Sequence, residues 1–194
     1  MIQSKVDYLT YLERDLFSKF GVKKLSIKRK LKLFFYRDWV WEFQKSLRRL
    51  EYVYNCRNGI YRKLSLPLVF LRYKRLSVKL GFTIPINTFG PGLAIVHQGT
   101  IIVNSGVRVG ANCRIHTCVN IGTQAGYASK CPIIGDNCYI GPGAKLFGDI
   151  KIASNIAIGA NAVVNKSFLE EGVIIAGVPA KVIGKSDTKN FNRK

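Results

Sequence analysis

Carboxylates are scarce in this chain: 11 Asp and Glu stand against 31 Lys and Arg over 194 residues, for a formal net charge of +20. Histidine is scarcer still, with only His97 and His116. The five cysteines, Cys56, Cys113, Cys118, Cys131 and Cys138, form no CxxC pair and their number is odd. That excludes a disulfide framework and a zinc-type ligand set, so reduced thiols, a cytoplasmic location and no metal are expected. The longest uncharged apolar run ahead of residue 82, Leu64 to Leu71, is far too short to span a bilayer. The N-terminal stretch is charged and amphipathic rather than apolar, so no secretory leader is expected. The compact nucleic-acid motifs are also missing, so the positive charge alone does not make nucleic acid an expected partner.

What is present is a beat of six. Aliphatic residues recur at Val103, Val109, Ile115 and Ile121, and after seven extra residues at Ile134, Ile140, Leu146, Ile152, Ile158 and Val164. Four residues after each comes a small or apolar one: Val107, Cys113, Val119, Ala125, Cys138, Ala144, Ile150, Ile156, Ala162 and Phe168. A six-residue period fits neither an α-helix nor a simple alternating strand; a hexapeptide repeat signifies a parallel β-helix. Three residues after the beat stand Gly106, Asn112, Asn137, Gly143, Asp149, Asn155 and Asn161, residue types that tolerate a sharp corner. Three hexads make one triangular coil, and coils stack about 4.8 Å apart. The strictness of the beat over some seventy residues rules against an ordinary β-sandwich.

Ahead of the repeat the pattern is helical. Residues 4–19 carry a stripe at Tyr8, Leu9, Leu12 and Leu16 behind a Ser4 cap, and Gly21 ends it. Residues 22–37 are a basic connector whose structure the pattern does not specify. Asp38 caps a second helix to about Asn55, with a seam at Val40, Phe43, Leu47, Leu50 and Tyr54. A third spans about 59–80, where Pro67 forces a start or a kink. Its far end sets Arg72, Lys74, Arg75 and Lys79 beside Phe70, Tyr73, Leu76 and Leu80. Such a face suits an anionic membrane surface, or is simply a solvated basic face. The expected division is 1–81 helical, 82–185 β-helix and 186–194 a disordered tail.

A regular prism is only a scaffold, so chemistry rests on residues that break the rule. His97 falls six residues before Val103, on the beat, and His116 directly follows the beat position Ile115. Counting one coil as 18 residues puts the two histidines at one corner in adjacent coils.

The segments HQGTIIVNSGVRVGANCRIHTCVNIGTQAG, IGDNCYIGPGAKLFGDI, IGANAVV and AGVPAKVIG resemble the serine O-acetyltransferase family over residues 82–185. The resemblance implies a left-handed β-helix, acetyl-CoA as co-substrate, and a homotrimer with sites between prisms. It makes His97 the general base that takes a proton from the acceptor hydroxyl. It sets Gly141, Pro142, Gly143, Gly159 and Ala160 along the pantetheine arm, and Ala176, Gly177, Lys181 and Lys185 toward the adenine and phosphates. The loop Ala125–Cys131 would reach over the active site.

Three family polar positions are lost. Phe82 stands where a supporting Asp is found, Val96 where an acidic residue precedes the histidine, and Cys131 where the loop's closing histidine contacts the amino acid. His116 would fill part of that gap as an orienter or acceptor ligand. The expected function is therefore acetyl transfer to a hydroxyl, of a surface-polysaccharide sugar at the inner membrane face, rather than of serine. Serine acetylation for cysteine synthesis is the alternative, and a non-catalytic β-helix scaffold a third.

Overall fold

The structure is a computed structural model in which residues 1–187 are described. Four helices precede the repeat. Helix α1 (Lys5–Phe20) begins where the Ser4 hydroxyl accepts the Asp7 N–H at 3.0 Å, and Gly21 ends it with φ 72°. Helix α2 (Ile27–Phe35) lies in the connector whose structure the sequence pattern left open, capped by Ser26. Helix α3 (Trp39–Cys56) is capped by Asp38, whose carboxylate accepts the Trp41 N–H at 2.9 Å. Its seam buries Val40, Phe43, Leu47 and Leu50, while Tyr54 turns out to solvent. Helix α4 (Gly59–Leu80) runs through Pro67 and starts eight residues ahead of it. A proline there removes one N–H, that toward the Lys63 carbonyl, and the helix continues.

From Phe82 onward the chain winds as a parallel β-helix of three faces. The first stacks Phe82–Thr83, Ile101–Val103, Val119–Gly122, Lys145–Phe147 and Val163–Val164. The second stacks Arg108–Val109, Ile133–Ile134 and Lys151–Ile152. The third stacks Ala94–Ile95, Arg114–Ile115, Tyr139–Ile140, Ala157–Ile158 and Val173–Gly177. All ten beat residues are buried, because alternation in each short strand turns them into the core. So are nine of the ten residues four places later; Ala125 is exposed, because it opens the loop rather than filling the prism. Positive φ falls on Asn112, Asn137, Gly143, Asn155 and Asn161 as the corner argument requires. Gly106 and Asp149 do not take it; beside Asp149 the left-handed residue is Gly148.

One corner is lined by an amide ladder. Arg14 of α1 donates to Asn112 Oδ1 at 3.0 Å, Asn112 to Asn137 at 2.8 Å, Asn137 to Asn155 at 3.1 Å, and Asn155 to Glu171 at 3.1 Å. The last strand, Ala180–Lys185, turns back antiparallel on Val173–Gly177, and the Ser186 N–H reaches the Gly172 carbonyl. Ser186 is thus part of that hairpin end rather than of a loose tail, and 188–194 lie outside the described residues.

The helices are fastened to the irregular first coil by a buried ion cluster. Arg48 of α3 bonds Asp15 of α1 at 2.7 Å and Glu51 at 3.0 Å, and donates to the carbonyls of Phe89 and Gly90. Asp15 in turn accepts the N–H groups of Gly92 and Leu93, both at 2.8 Å. Burial works against the Arg48 charge, but Asp15 and Glu51 outweigh it and hold its pKa above the ordinary arginine value. Phe82 is packed in the same core, its ring 5.0 Å from that of Phe43.

Candidate active site

The third face brings most of the candidate residues together. Its inward residues Ile95, Ile115, Ile140, Ile158 and Ile175 stack on one another. The residue after each forms a second column: Val96, His116, Gly141, Gly159 and Ala176. Backbone bonds tie it, from the His116 N–H to Ile140 O, Gly141 N–H to Ile158 O and Gly159 N–H to Ile175 O. His116 therefore stands at the head of a track of two glycines and an alanine.

The two glycines are there because nothing larger fits against the next coil. A Cβ on Gly141 would meet the Ile158 carbonyl oxygen at 2.7 Å, and one on Gly159 would meet the Ala176 Cβ at 2.8 Å. A flat, side-chain-free track of this kind suits an extended amide-bearing arm laid along the prism. Pro142 and Ala160 are exposed at the turn beyond it, where Gly143 takes φ 77° and the Asn161 N–H bonds the Pro142 carbonyl. At the track's end Lys181 pairs across from Ala176, and Gly177 from Ala180. Lys185 pairs with Val173, three residues and about 10 Å along the neighbouring strand from Ala176, the partner of Lys181. Of the two expected phosphate ligands, only Lys181 adjoins the track.

His97 departs from its expected register. Ile95, not His97, is the inward residue that pairs with Ile115, so the first coil is two residues longer than the rest. The extra length lies between Ile95 and Ile101, six steps of chain set against four from Ile115 to Val119, and His97 is within it; Phe89 upstream already pairs with Val109 in the register of Ile95 with Ile115. His97 consequently lies on the surface instead of in the core. Its ring nevertheless comes to 6.3 Å from that of His116, tilted by 58°.

His116 also lies 5.0 Å from the ring of Tyr139, one coil on. Its Nε2 is buried and has no hydrogen-bond partner. Burial, then the Arg114 charge, then His97 push its pKa below the ordinary histidine value, so the ring is neutral at neutral pH. Tyr139 and Arg114 were not singled out by the sequence. The signal was available, because Arg114 and Tyr139 are 25 residues apart, one coil plus the seven-residue break. A cavity of about 320 Å³ lies between α1, the connector and the third face, lined by Lys19, Arg29, Asp38, Val96 and Arg114.

The loop Ala125–Cys131 emerges at a different corner, between the first and second faces. Cys131 is buried there, with its Sγ 3.6 Å from Asn104 Oδ1 and from the Ala128 carbonyl oxygen. Within one chain the loop and the histidines are separated by a face of the prism. No cluster of His, Cys, Asp or Glu among the described residues could hold a metal ion.

No protein-family model matches the chain. It is 33% identical over 110 residues to a serine acetyltransferase of Buchnera aphidicola, a match covering 56% of this chain and 42% of that protein. The chain thus spans less than half the length of the relative. In fold it is similar to the Brucella abortus serine acetyltransferase solved with coenzyme A, with a TM-score of 0.68, 23% identity, and coverage of 93% of this chain and 68% of that one. The Neisseria gonorrhoeae serine acetyltransferase solved with serine gives a TM-score of 0.68, 23% identity, and coverage of 93% and 71%. The chain is thus a left-handed parallel β-helix with helices ahead of it, similar to serine acetyltransferases in sequence over half its length and in fold over more than nine-tenths.

Proposed function

We propose that the chain is an acetyl-CoA-dependent O-acetyltransferase. One observation carries the reading: two histidines meet at the head of a track kept free of side chains, which ends at Lys181. His97, at the surface, takes the proton of an acceptor hydroxyl while the oxygen attacks the thioester carbonyl. The tetrahedral adduct collapses by breaking the carbon–sulfur bond, and the proton passes from the imidazolium to the leaving thiolate. The products are an acetyl ester and free coenzyme A. His116, neutral and half-buried beside His97, orients His97 or the acceptor.

Serine is the acceptor that the relatives favour, over the sugar expected from the sequence. Sequence similarity to serine acetyltransferases and the serine-bound neighbour both support it. A sugar hydroxyl remains the second reading, on a specific observation. Phe82 and Cys131, at positions where the family has polar groups, are both buried in this chain. The placement of the loop one face away from the histidines supports a trimer, in which a neighbour's loop reaches the pair.

Thiol release from acetyl-CoA tests the whole reading, with serine and a panel of hexoses and aminosugars offered as acceptors. Release that depends on acceptor and is lost in His97→Asn supports acetyl transfer, and the acceptor that drives it decides between the readings. No acceptor-dependent release in the wild-type chain would leave a β-helix that only binds partners.

A further inference from the structure

The helices ahead of the prism expose apolar surface in an ordered way. Helix α2 buries no residue at all. Its apolar side chains Ile27, Leu31, Phe34 and Phe35 follow helical spacing on one face and are 57–84% exposed. Helix α4 does the same along Ile60, Leu64, Leu68 and Leu71, which are 46–71% exposed. The two stripes meet at a groove where Phe34 of α2 faces Leu68, Leu71 and Arg72 of α4. Eight large apolar side chains in two adjoining stripes are a patch that a freely soluble surface does not need.

The charge around the patch selects its occupant. Residues 22–37 hold seven Lys and Arg, and residues 57–81 hold another seven; neither segment contains an Asp or Glu. Glu42 of α3 lines the groove and pairs with Arg72 at 2.8 Å; a second copy docked face to face would still set the other thirteen cations against thirteen more. A nucleic-acid backbone would use the charge but leave the Phe and Leu stripes unexplained. An anionic lipid surface uses both, with acyl chains for the stripes and headgroup phosphates for the cations.

We infer that α2 and the solvent face of α4 form a peripheral docking surface for an anionic membrane. The basic-aromatic face expected from the sequence is a different one: Tyr73, Leu76 and Leu80 are buried against the prism and unavailable. No described helix is long and apolar enough to cross a bilayer, so the surface lies on the membrane rather than through it. The inference rests on the helices alone and is independent of the acetyl-transfer reading.

The test is flotation of the full chain with vesicles of equimolar phosphatidylcholine and phosphatidylglycerol, and with phosphatidylcholine alone. The chain floats with the anionic vesicles at low salt and is released as salt rises. Leu31→Glu/Phe34→Glu and Leu64→Glu/Leu68→Glu each reduce binding about tenfold or more, because each places two carboxylates against headgroups of the same sign. All four positions are exposed, and an unchanged thermal melt and thiol-release rate show that the fold survives. Failure of the wild-type chain to float, or flotation that ignores both double variants, overturns the proposal. So does sedimentation showing that the wild-type chain self-associates and that these variants dissociate it, which would give the surface to a second copy.

Discussion

His97 and His116 approach to 6.3 Å although their backbones are out of register with the coil: Ile95 pairs with Ile115, so His97 is displaced two residues from the inward column. The displacement lifts His97 to the surface while His116 stays half-buried, with Nε2 sealed from water. Two identical rings therefore sit in unlike environments, one able to meet a solvated hydroxyl and the other held neutral.

The lowered pKa of His116 has a signed consequence for stability. As pH falls through about 6.5, the ordinary histidine value, the unfolded chain takes up a proton that folded His116 refuses. Unfolding free energy is expected to decline in that window as pH falls, levelling off once the lowered folded value is passed. Urea midpoints measured on either side of the window should show the decline, and His116→Gln should reduce it.

Thiol labelling tests the winding. Burial pushes Cys113 well above the ordinary thiol value and Cys138 up to about 11, while Cys118 is exposed at a corner. Iodoacetamide at mildly alkaline pH should modify Cys118 first, and Cys113 and Cys138 only on unfolding, as read by mass spectrometry of the intact and digested chain.

The buried ion cluster should be the most sensitive point of the helix–prism junction. Arg48→Met leaves Asp15 and Glu51 buried without their counter-charge, and a loss of about 3–5 kcal/mol is expected from denaturant unfolding. Lys45→Met, which removes the partly exposed Lys45–Glu42 pair, should change stability by less than about 1 kcal/mol.

Gly141→Ala drives a methyl into the Ile158 carbonyl and should cost about 1–3 kcal/mol of stability. It should also weaken apparent acetyl-CoA affinity in the thiol-release assay, since the methyl stands in the track. Gly184→Ala, where a Cβ meets nothing within 4 Å, is the matched control and should stay within about 0.5 kcal/mol.

The sequence showed the prism clearly, because each inward residue answers to one simple rule of alternation and every beat position obeys it. It showed the pairing of the histidines less clearly, since the two extra residues fall between Ile95 and Ile101, where His97 keeps a six-residue spacing to Val103 and so hides them. Helix α2 was missed although Ser26 and the spacing of Ile27, Leu31, Phe34 and Phe35 announce it. The dense lysines masked that stripe, and nothing in the chain packs on it to make it necessary. On α4 the difficulty was reversed: apolar residues run all round the helix, so pattern alone could not say that Tyr73, Leu76 and Leu80 face inward and Leu64 and Leu68 outward. Arg114 and Tyr139 became site neighbours only through stacking between coils.

The asparagine corner works as a ruler. Every rung passes its amide hydrogen in one direction, from the Arg14 cation at one end to the Glu171 carboxylate at the other. Such a line has a source and a sink, and every step between must both give and receive. A coil added or removed without an asparagine at that corner breaks the line at one place and strands a polar group on either side. The length of the prism is thus written twice, once in its number of hexads and once in a series of amides that can be read in only one direction.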